Sequence, residues 1–266
     1  MSDRYSRQSF LGEKSRDILA ARTVAIVGLS GGGSHMAQQL AHTGIENYRL
    51  FDPQRIEESN LHRIVGASMT DVRRRLWKTA IAARVIRRVN PEAKVAQIKQ
   101  LWQNQATMLN DCDIIVGCVD SYKERDELER HARRYCIPYL DIGMDVYPIN
   151  EEFVISGQVI VSMPGEHCLR CVGFLNEDLL TREATGYGAA GAHPQVVWAN
   201  GTLASLAVGV LIQLFTPWQR KHAKVTYMMY DGNTPSVNAS GRLDYLDRPC
   251  PHFAGYKNLG NPWFQL

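Results

Sequence analysis

The chain has 266 residues, 45% of them apolar and 9% aromatic, enough to bury a sizeable core and to exclude an intrinsically disordered protein. Its 30 lysines and arginines nearly balance 27 aspartates and glutamates, and a net charge of +3 supplies no overall field for holding nucleic acid or a membrane surface, so any basic function has to be local. The opening MSDRYSRQSFLGEK carries no apolar secretion core, so the expected setting is cytoplasmic, where cysteines read as buried thiols or metal ligands rather than disulfides.

In chain order, a polar, helical arm (1–22) precedes TVAIVG (23–28), a short buried strand, and SGGGSHMAQQLAHTG, a glycine turn that opens a helix. YRLFD (48–52) supplies a second strand. One long helix follows, started by Thr70 or Asp71 and stopped at Asn90-Pro91. Then come a polar strand at 94–98, a short helix near 104–110, the buried strand DIIVGCVD (113–120), a charged helix from Tyr122 to Tyr135 and the strand IPYLDIG (137–143). The charged run Lys123 to Arg134 reads as a solvent-facing helix, and Arg73-Arg74-Arg75 as a solvated helix face. Regular alternation of strand and helix predicts an α/β fold with a doubly wound, mostly parallel, Rossmann-like sheet.

From about residue 150 the pattern changes, because FVISGQVIVSMPG alternates like antiparallel strands and ends in a hairpin-like Pro164-Gly165. Residues 176–193 read as a mobile loop. Pro194 to Gln219 carries no charged side chain, yet Asn200, Thr202, Ser205 and Gln213 interrupt its apolar run, while Gly201, Ala204, Ala207 and Gly209 favour close packing. A core or dimer-interface helix is therefore expected, not a membrane span. No repeat or linker divides the chain, so a single domain over 1–266 is expected, with a nucleotide-binding half at 23–150, a second half at 151–253 and a tail at 254–266 whose Tyr256, Trp263, Phe264 and Leu266 dock onto protein surface.

The run Gly28-Leu29-Ser30-Gly31-Gly32-Gly33, after a strand and before a helix, lets backbone approach a phosphate while the helix N-terminus adds positive potential. Ser30 stands where a dinucleotide fingerprint usually has its second glycine. Asp52 ends the second strand, where a carboxylate accepts hydrogen bonds from ribose hydroxyls; to this point NAD and ATP fit equally. Ser59-Asn60-Leu61-His62-Arg63, Lys78 and Asp120 separate them. Arg63 and Lys78 are the cations a triphosphate requires, Asn60 orients phosphate oxygens without adding charge, and Asp120, at the carboxyl end of a buried strand, suits Mg²⁺. The lesser alternative for Asp120 is that it merely caps the helix that begins at Ser121.

Together Arg4-Tyr5-Ser6-Arg7-Gln8, the Gly28–Gly33 loop, Asp52, Ser59-Asn60-Leu61-His62-Arg63, Lys78, Cys118-Val119-Asp120-Ser121 and Cys168-Leu169-Arg170-Cys171 make the chain resemble the ThiF/MoeB/E1 superfamily from its first residues to about 253. The resemblance implies an ATP- and Mg²⁺-dependent adenylyltransferase acting on a carboxylate, foremost the C-terminal glycine of a ubiquitin-like or sulfur-carrier-like protein. Same-fold adenylation of a small molecule, peptide or tRNA, and a non-catalytic scaffold, are the alternatives; tRNA calls for a basic surface stripe that the charge balance does not promise. It further implies a homodimer in which Arg7 reaches the phosphates of the neighbouring subunit. Gly28, Ser30, Gly31, Gly33 and Ser59 would line the nucleotide, Asp52 would bind ribose, Asn60, Arg63 and Lys78 the phosphates, and Asp120 the metal.

Such proteins often hold a structural zinc with two CxxC pairs. Here Cys168 and Cys171 form the first, but the second is replaced by Arg248-Pro249-Cys250-Pro251-His252-Phe253, which leaves a Cys₃His set with His252, or His167 as the rival fourth ligand. Relatives that form a thioester or persulfide carry a crossover-loop cysteine, and residues 172–249 contain none. Cys112, Cys118 and Cys136 read as inert core thiols. The chain is thus expected to stop at the acyl-adenylate and pass it to a partner's cysteine, on an E2-like or other downstream protein, or to an amine.

Overall fold

The computed structural model describes residues 4–185, 194–219, 226–246 and 249–253. The predicted docking of the 254–266 tail therefore lies outside the described residues, as does the 186–193 part of the predicted loop.

The arm comprises a 3-10 turn at Ser6–Leu11 and a helix α1 (Ser15–Ala21), followed by β1 (Thr23–Val27), α2 (Gly31–Thr43) and β2 (Asn47–Phe51). Next come α3 (Met69–Arg73), α4 (Lys78–Val89), β3 (Lys94–Ile98), a 3-10 stretch at Trp102–Leu109, β4 (Ile114–Gly117) and α5 (Tyr122–Arg134). The second half holds β5 (Tyr139–Ile149), β6 (Glu152–Ser162), α6 (Glu177–Ala184), α7 (Val197–Phe215), β7 (Tyr227–Asp231) and β8 (Ser236–Ala239). All eight strands form one sheet in the order β3-β2-β1-β4-β5-β6-β7-β8. The pairs from β3 through β5 are parallel, and those from β5 to β8 are antiparallel. The predicted mixed sheet is thus present. Its strand order reverses between β1 and β4, which are parallel, since the first crossovers run outward through β2 to β3 and the later ones step the other way through β4 to β5.

One face of the sheet is covered by α2, α4 and α7 over Val24, Ile26, Leu50, Val116 and Leu140; the other packs Ala25, Val27, Phe51, Ile115 and Tyr139 against α5 and the Trp102–Leu109 stretch. Helix α7 is long and apolar enough to cross a membrane. It buries Leu203, Ala204, Ala207 and Leu211 against α2, β5 and β6, as a core helix does.

Three expectations need correction. The long helix over 70–90 is two helices: Ser68 caps α3 through a capping box with Asp71, Arg75 turns left-handed at φ 50°, and Trp77 forms an isolated antiparallel bridge to Arg55 before Lys78 opens α4. Arg55 lies 4.1 Å over the Trp77 ring and donates to the Arg75 carbonyl at 2.6 Å, so a residue 20 positions upstream pins the break. The charged run Lys123 to Arg134 is not a solvent-facing helix, because Arg125, Asp126, Glu129 and Arg133 are buried. Finally, residues 177–184 of the expected mobile loop are helix α6, whose Glu183 accepts hydrogen bonds from the backbone N–H of Tyr122 and Lys123 at the start of α5.

The glycine turn between β1 and α2 is held by sterics. Gly28 has φ +87°, and a Cβ on Gly33 would overlap the Gly28 carbonyl oxygen, whereas a Cβ on Gly32 would meet nothing nearer than 3.6 Å. Gly33→Ala should lower stability by at least about 1–3 kcal/mol in urea unfolding, while Gly32→Ala should fold normally; equal stability of both variants would contradict this turn geometry.

Candidate functional site

The carboxyl ends of β1 and β4 diverge at the reversal of the sheet, and the crevice there is where doubly wound sheets bind ligands. The N-terminus of α2 points into it from Gly31 onward, with its first N–H groups left without intrahelical acceptors and Ser30 as a cap that accepts no side-chain bond from them. Helix and strand approach this closely because Gly28 and Gly33 have no side chains, and Gly31 packs against Asn200 of α7.

Asp52, just past β2, is 4% exposed and accepts from the backbone N–H of Leu29 and Gln54, both at 2.8 Å. It therefore locks the glycine loop to the second strand while keeping further lone pairs unused by these two bonds. Burial pushes its pKa up, against the pull of Lys78 and the two N–H bonds. Lys78, also 4% exposed, donates to Gln54 Oε1 at 2.6 Å, and burial draws its pKa down while Asp52 opposes. The break between α3 and α4 is what makes this possible, because it sets Lys78 in the first turn of α4, where its backbone N–H bonds the Gln54 carbonyl at 3.1 Å.

Residues 58–60 form a 3-10 turn in which Asn60 Oδ1 accepts from Glu57 N–H at 3.2 Å, so Asn60 shapes the turn. Arg63 leaves that turn toward the glycine loop, donating from Nε to Ser30 Oγ at 3.2 Å and from Nη1 to the Ser59 carbonyl at 2.9 Å. Ser59 takes part through that carbonyl. Asp120 is exposed three residues beyond β4, where its Oδ1 accepts from Gln195 at 3.1 Å. It does not cap α5; Ser121 does, accepting from Glu124 N–H. Ser30, Arg63, Asp52, Lys78 and Asp120 thus come together. Arg7 does not join them: it is exposed beside Gln8, which donates to the His42 carbonyl at the far end of α2, about 20 Å of helix away.

Past Arg63 and Asp120 the crevice widens into a cleft lined also by Tyr122, Arg125, Gln158 and Phe174. Arg125 is the main residue the sequence reading missed. Its Nη1 ion-pairs with Asp141, a fully buried carboxylate that also accepts from Tyr139 Oη at 2.8 Å, and its guanidinium stacks 5.5 Å from the Phe174 ring. Gly143 leaves room for the guanidinium to lie on the sheet. Gln54 and Gln195 were also missed. The spacing of Arg125, Glu129 and Arg133, four apart on one helical face with Leu128 and Ala132 beside them, was the available signal.

On the same side, Cys168, Cys171, Cys250 and His252 gather with their ligand atoms within 4.8 Å of one another. Cys168 Sγ is 3.6 Å from Cys171 Sγ, and each sulfur is 3.4 Å from His252 Nδ1. Tetrahedral zinc with ordinary bond lengths calls for about 3.8 Å between sulfurs and about 3.6 Å from sulfur to nitrogen, so the donor set fits. His167 is not in this group; its carbonyl instead accepts from Arg133 at 2.7 Å. Glu129 steadies the knuckle by accepting from Leu169 N–H at 2.8 Å, and burial pushes its pKa up to about 7. Burial also raises the Cys118 thiol, and the Cys112 thiol to about 12, as inert groups. Cys136 departs from the expected core position: it is exposed, at φ 55°.

The fold defines an α/β protein of the doubly wound class, with a crevice at the reversal of its strand order. The chain belongs to the ThiF family, whose model matches residues 3–245. It is 26% identical over 173 residues to ubiquitin-like modifier-activating enzyme 5 of Drosophila pseudoobscura pseudoobscura, covering 59% of this chain and 41% of that protein. With sulfur carrier protein ThiS adenylyltransferase of Bacillus subtilis it shares 28% identity over 174 residues, 64% of this chain and 51% of that one. The chain thus spans about half or less of the length of these relatives. Escherichia coli MccB, crystallised with succinimide, superposes with a TM-score of 0.74 at 21% identity, covering 90% of this chain and 72% of that one, a likeness of fold.

Proposed function

We propose that the protein is an E1-like adenylyltransferase that uses ATP and Mg²⁺ to activate the C-terminal carboxylate of a ubiquitin-like or sulfur-carrier-like protein. The observation that carries this reading is the convergence of the α2 N-terminus, Arg63, Lys78 and Asp120 on one crevice, with Asp52 behind them. Hydride transfer needs no such set of cations. The relatives' names, an activating enzyme and an adenylyltransferase, support the same class.

A carboxylate is ionised at neutral pH, so one of its oxygens attacks the α-phosphorus without a general base, forming the acyl–phosphate bond as the bond to pyrophosphate breaks. What the site must supply is alignment and charge neutralisation. Backbone N–H groups of α2, Lys78 and Arg63 hold phosphate oxygens, and Asp52 fixes the ribose. Asp120 would hold magnesium, which when bound would supply charge neutralisation at the triphosphate. The cleft beyond Asp120, floored by the sheet and walled by Tyr122 and Phe174, receives the substrate's terminal residues. Arg7, which lies far from the site of its own chain, acts across a homodimer. With no cysteine in residues 172–249, the chain releases its acyl-adenylate to a thiol or amine elsewhere.

ATP–pyrophosphate exchange, measured with a small protein of the same genome ending in Gly-Gly, should proceed, and Lys78→Ala and Asp120→Ala should each lower it at least about a hundredfold with the thermal midpoint retained. Exchange retained in both variants would contradict the assignment.

We also propose that Cys168, Cys171, Cys250 and His252 hold one structural zinc. Elemental analysis should find one zinc per chain, lost in Cys250→Ser, with a thermal midpoint that falls on chelation; a metal-free protein of undiminished stability would contradict it.

A further inference from the structure

Gln195 stands at the junction between the two halves of the crevice. Its side-chain amide donates to Asp120 Oδ1 at 3.1 Å, while its own backbone carbonyl lies 3.1 Å from His62 Nε2 in the turn that carries Arg63. Two residues further on, Val197 opens α7, which is fastened to the glycine loop where Asn200 packs on Gly31. The amide is therefore presented to Asp120 from a fixed anchor rather than from a free side chain.

We propose that Gln195 is a positioning residue for the metal-holding carboxylate, an inference that rests on the reading of Asp120 given above. Asp120 is exposed and follows a short segment beyond β4, so its carboxylate would otherwise rotate freely. A carboxylate offers about four lone-pair sites. One amide N–H occupies a single site on Oδ1, which leaves Oδ2 and the remaining Oδ1 site for a cation. Being neutral, the amide orients the group without cancelling its charge, which a lysine or arginine in its place would do. Partners of this kind around a metal ligand characteristically alter metal affinity by about 10–100-fold when removed. Because the His62 contact is made by the backbone carbonyl, exchange of the Gln195 side chain leaves that anchor in place.

The test uses Mn²⁺ and AMPCPP, an ATP analogue that does not turn over, so that binding is read without the acyl substrate. Calorimetric titration of the full chain with AMPCPP, in EDTA and at rising Mn²⁺, gives the gain in affinity that the metal confers. Gln195→Ala and Gln195→Met, the second of similar size but unable to donate, should each lose about tenfold of that gain while binding AMPCPP in EDTA as the natural chain does. Thermal midpoints check that both fold. An undiminished gain in both variants, or a larger one, would overturn the proposal, the latter by making Gln195 a competitor of the metal. Asp120→Asn should lose most of the gain. If instead it keeps the gain, the metal assignment of Asp120 falls and takes this inference with it, whereas loss in Asp120→Asn with none at Gln195 overturns the inference alone.

Discussion

The arrangement depends on one steric constraint, the seating of the α2 N-terminus directly on the end of β1. Gly33 meets the Gly28 carbonyl with no room for a methyl group, and Gly28 takes a backbone conformation that L side chains rarely adopt. That contact aims the free N–H groups of the helix into the gap where the strand order reverses. Asp52 then holds the loop from beneath through Leu29 N–H. The positive end of the helix is therefore fixed in place before any ligand arrives, and preorganised dipoles of this kind cost no reorganisation when charge develops.

Around that end the ionisable groups are set out by burial as much as by charge. Lys78 and Asp52 are both removed from water, which disfavours the charged form of each, and their mutual attraction offsets part of that cost. A triphosphate would complete the compensation for the lysine. Arg125 and Asp141 are a second buried pair, in which Arg125 lines the adjoining cleft and Asp141 holds it from within the sheet. Removal of either partner would leave an uncompensated charge in the sheet. The crevice thus has one end where the α2 N-terminus, Arg63 and Lys78 meet, an exposed carboxylate at its middle and a cleft beyond it.

Much of this was legible from local pattern. The strands around Val24, Leu50 and Ile115 are short apolar runs, the glycine loop sits between a strand and a helix, and Asp52 follows its strand directly, so periodicity alone placed them. Features that depend on distant partners were not legible. The break before Lys78 is fixed by Arg55 stacked on Trp77, and nothing in the helical run from Thr70 announces it. Helix α5 looked solvated because its composition is charged; its spacing marks one face, but the partners that bury that face, Asp141, Ser162 and Leu169 against Arg125, Arg133 and Glu129, lie far along the chain. Gln195 bonds Asp120 across 75 positions, and an unremarkable glutamine gives no sequence signal for that role. The cysteine and histidine group was readable through its CxxC half, while the choice of His252 over His167 needed the fold.

Crystals of the protein grown with Mg²⁺ and AMPCPP measure the central claim most directly. The account predicts the triphosphate on the N–H groups of α2, with Lys78 and Arg63 at its oxygens and the metal at Asp120. A nucleotide bound elsewhere, or a crevice that stays empty at saturating ligand, would contradict it.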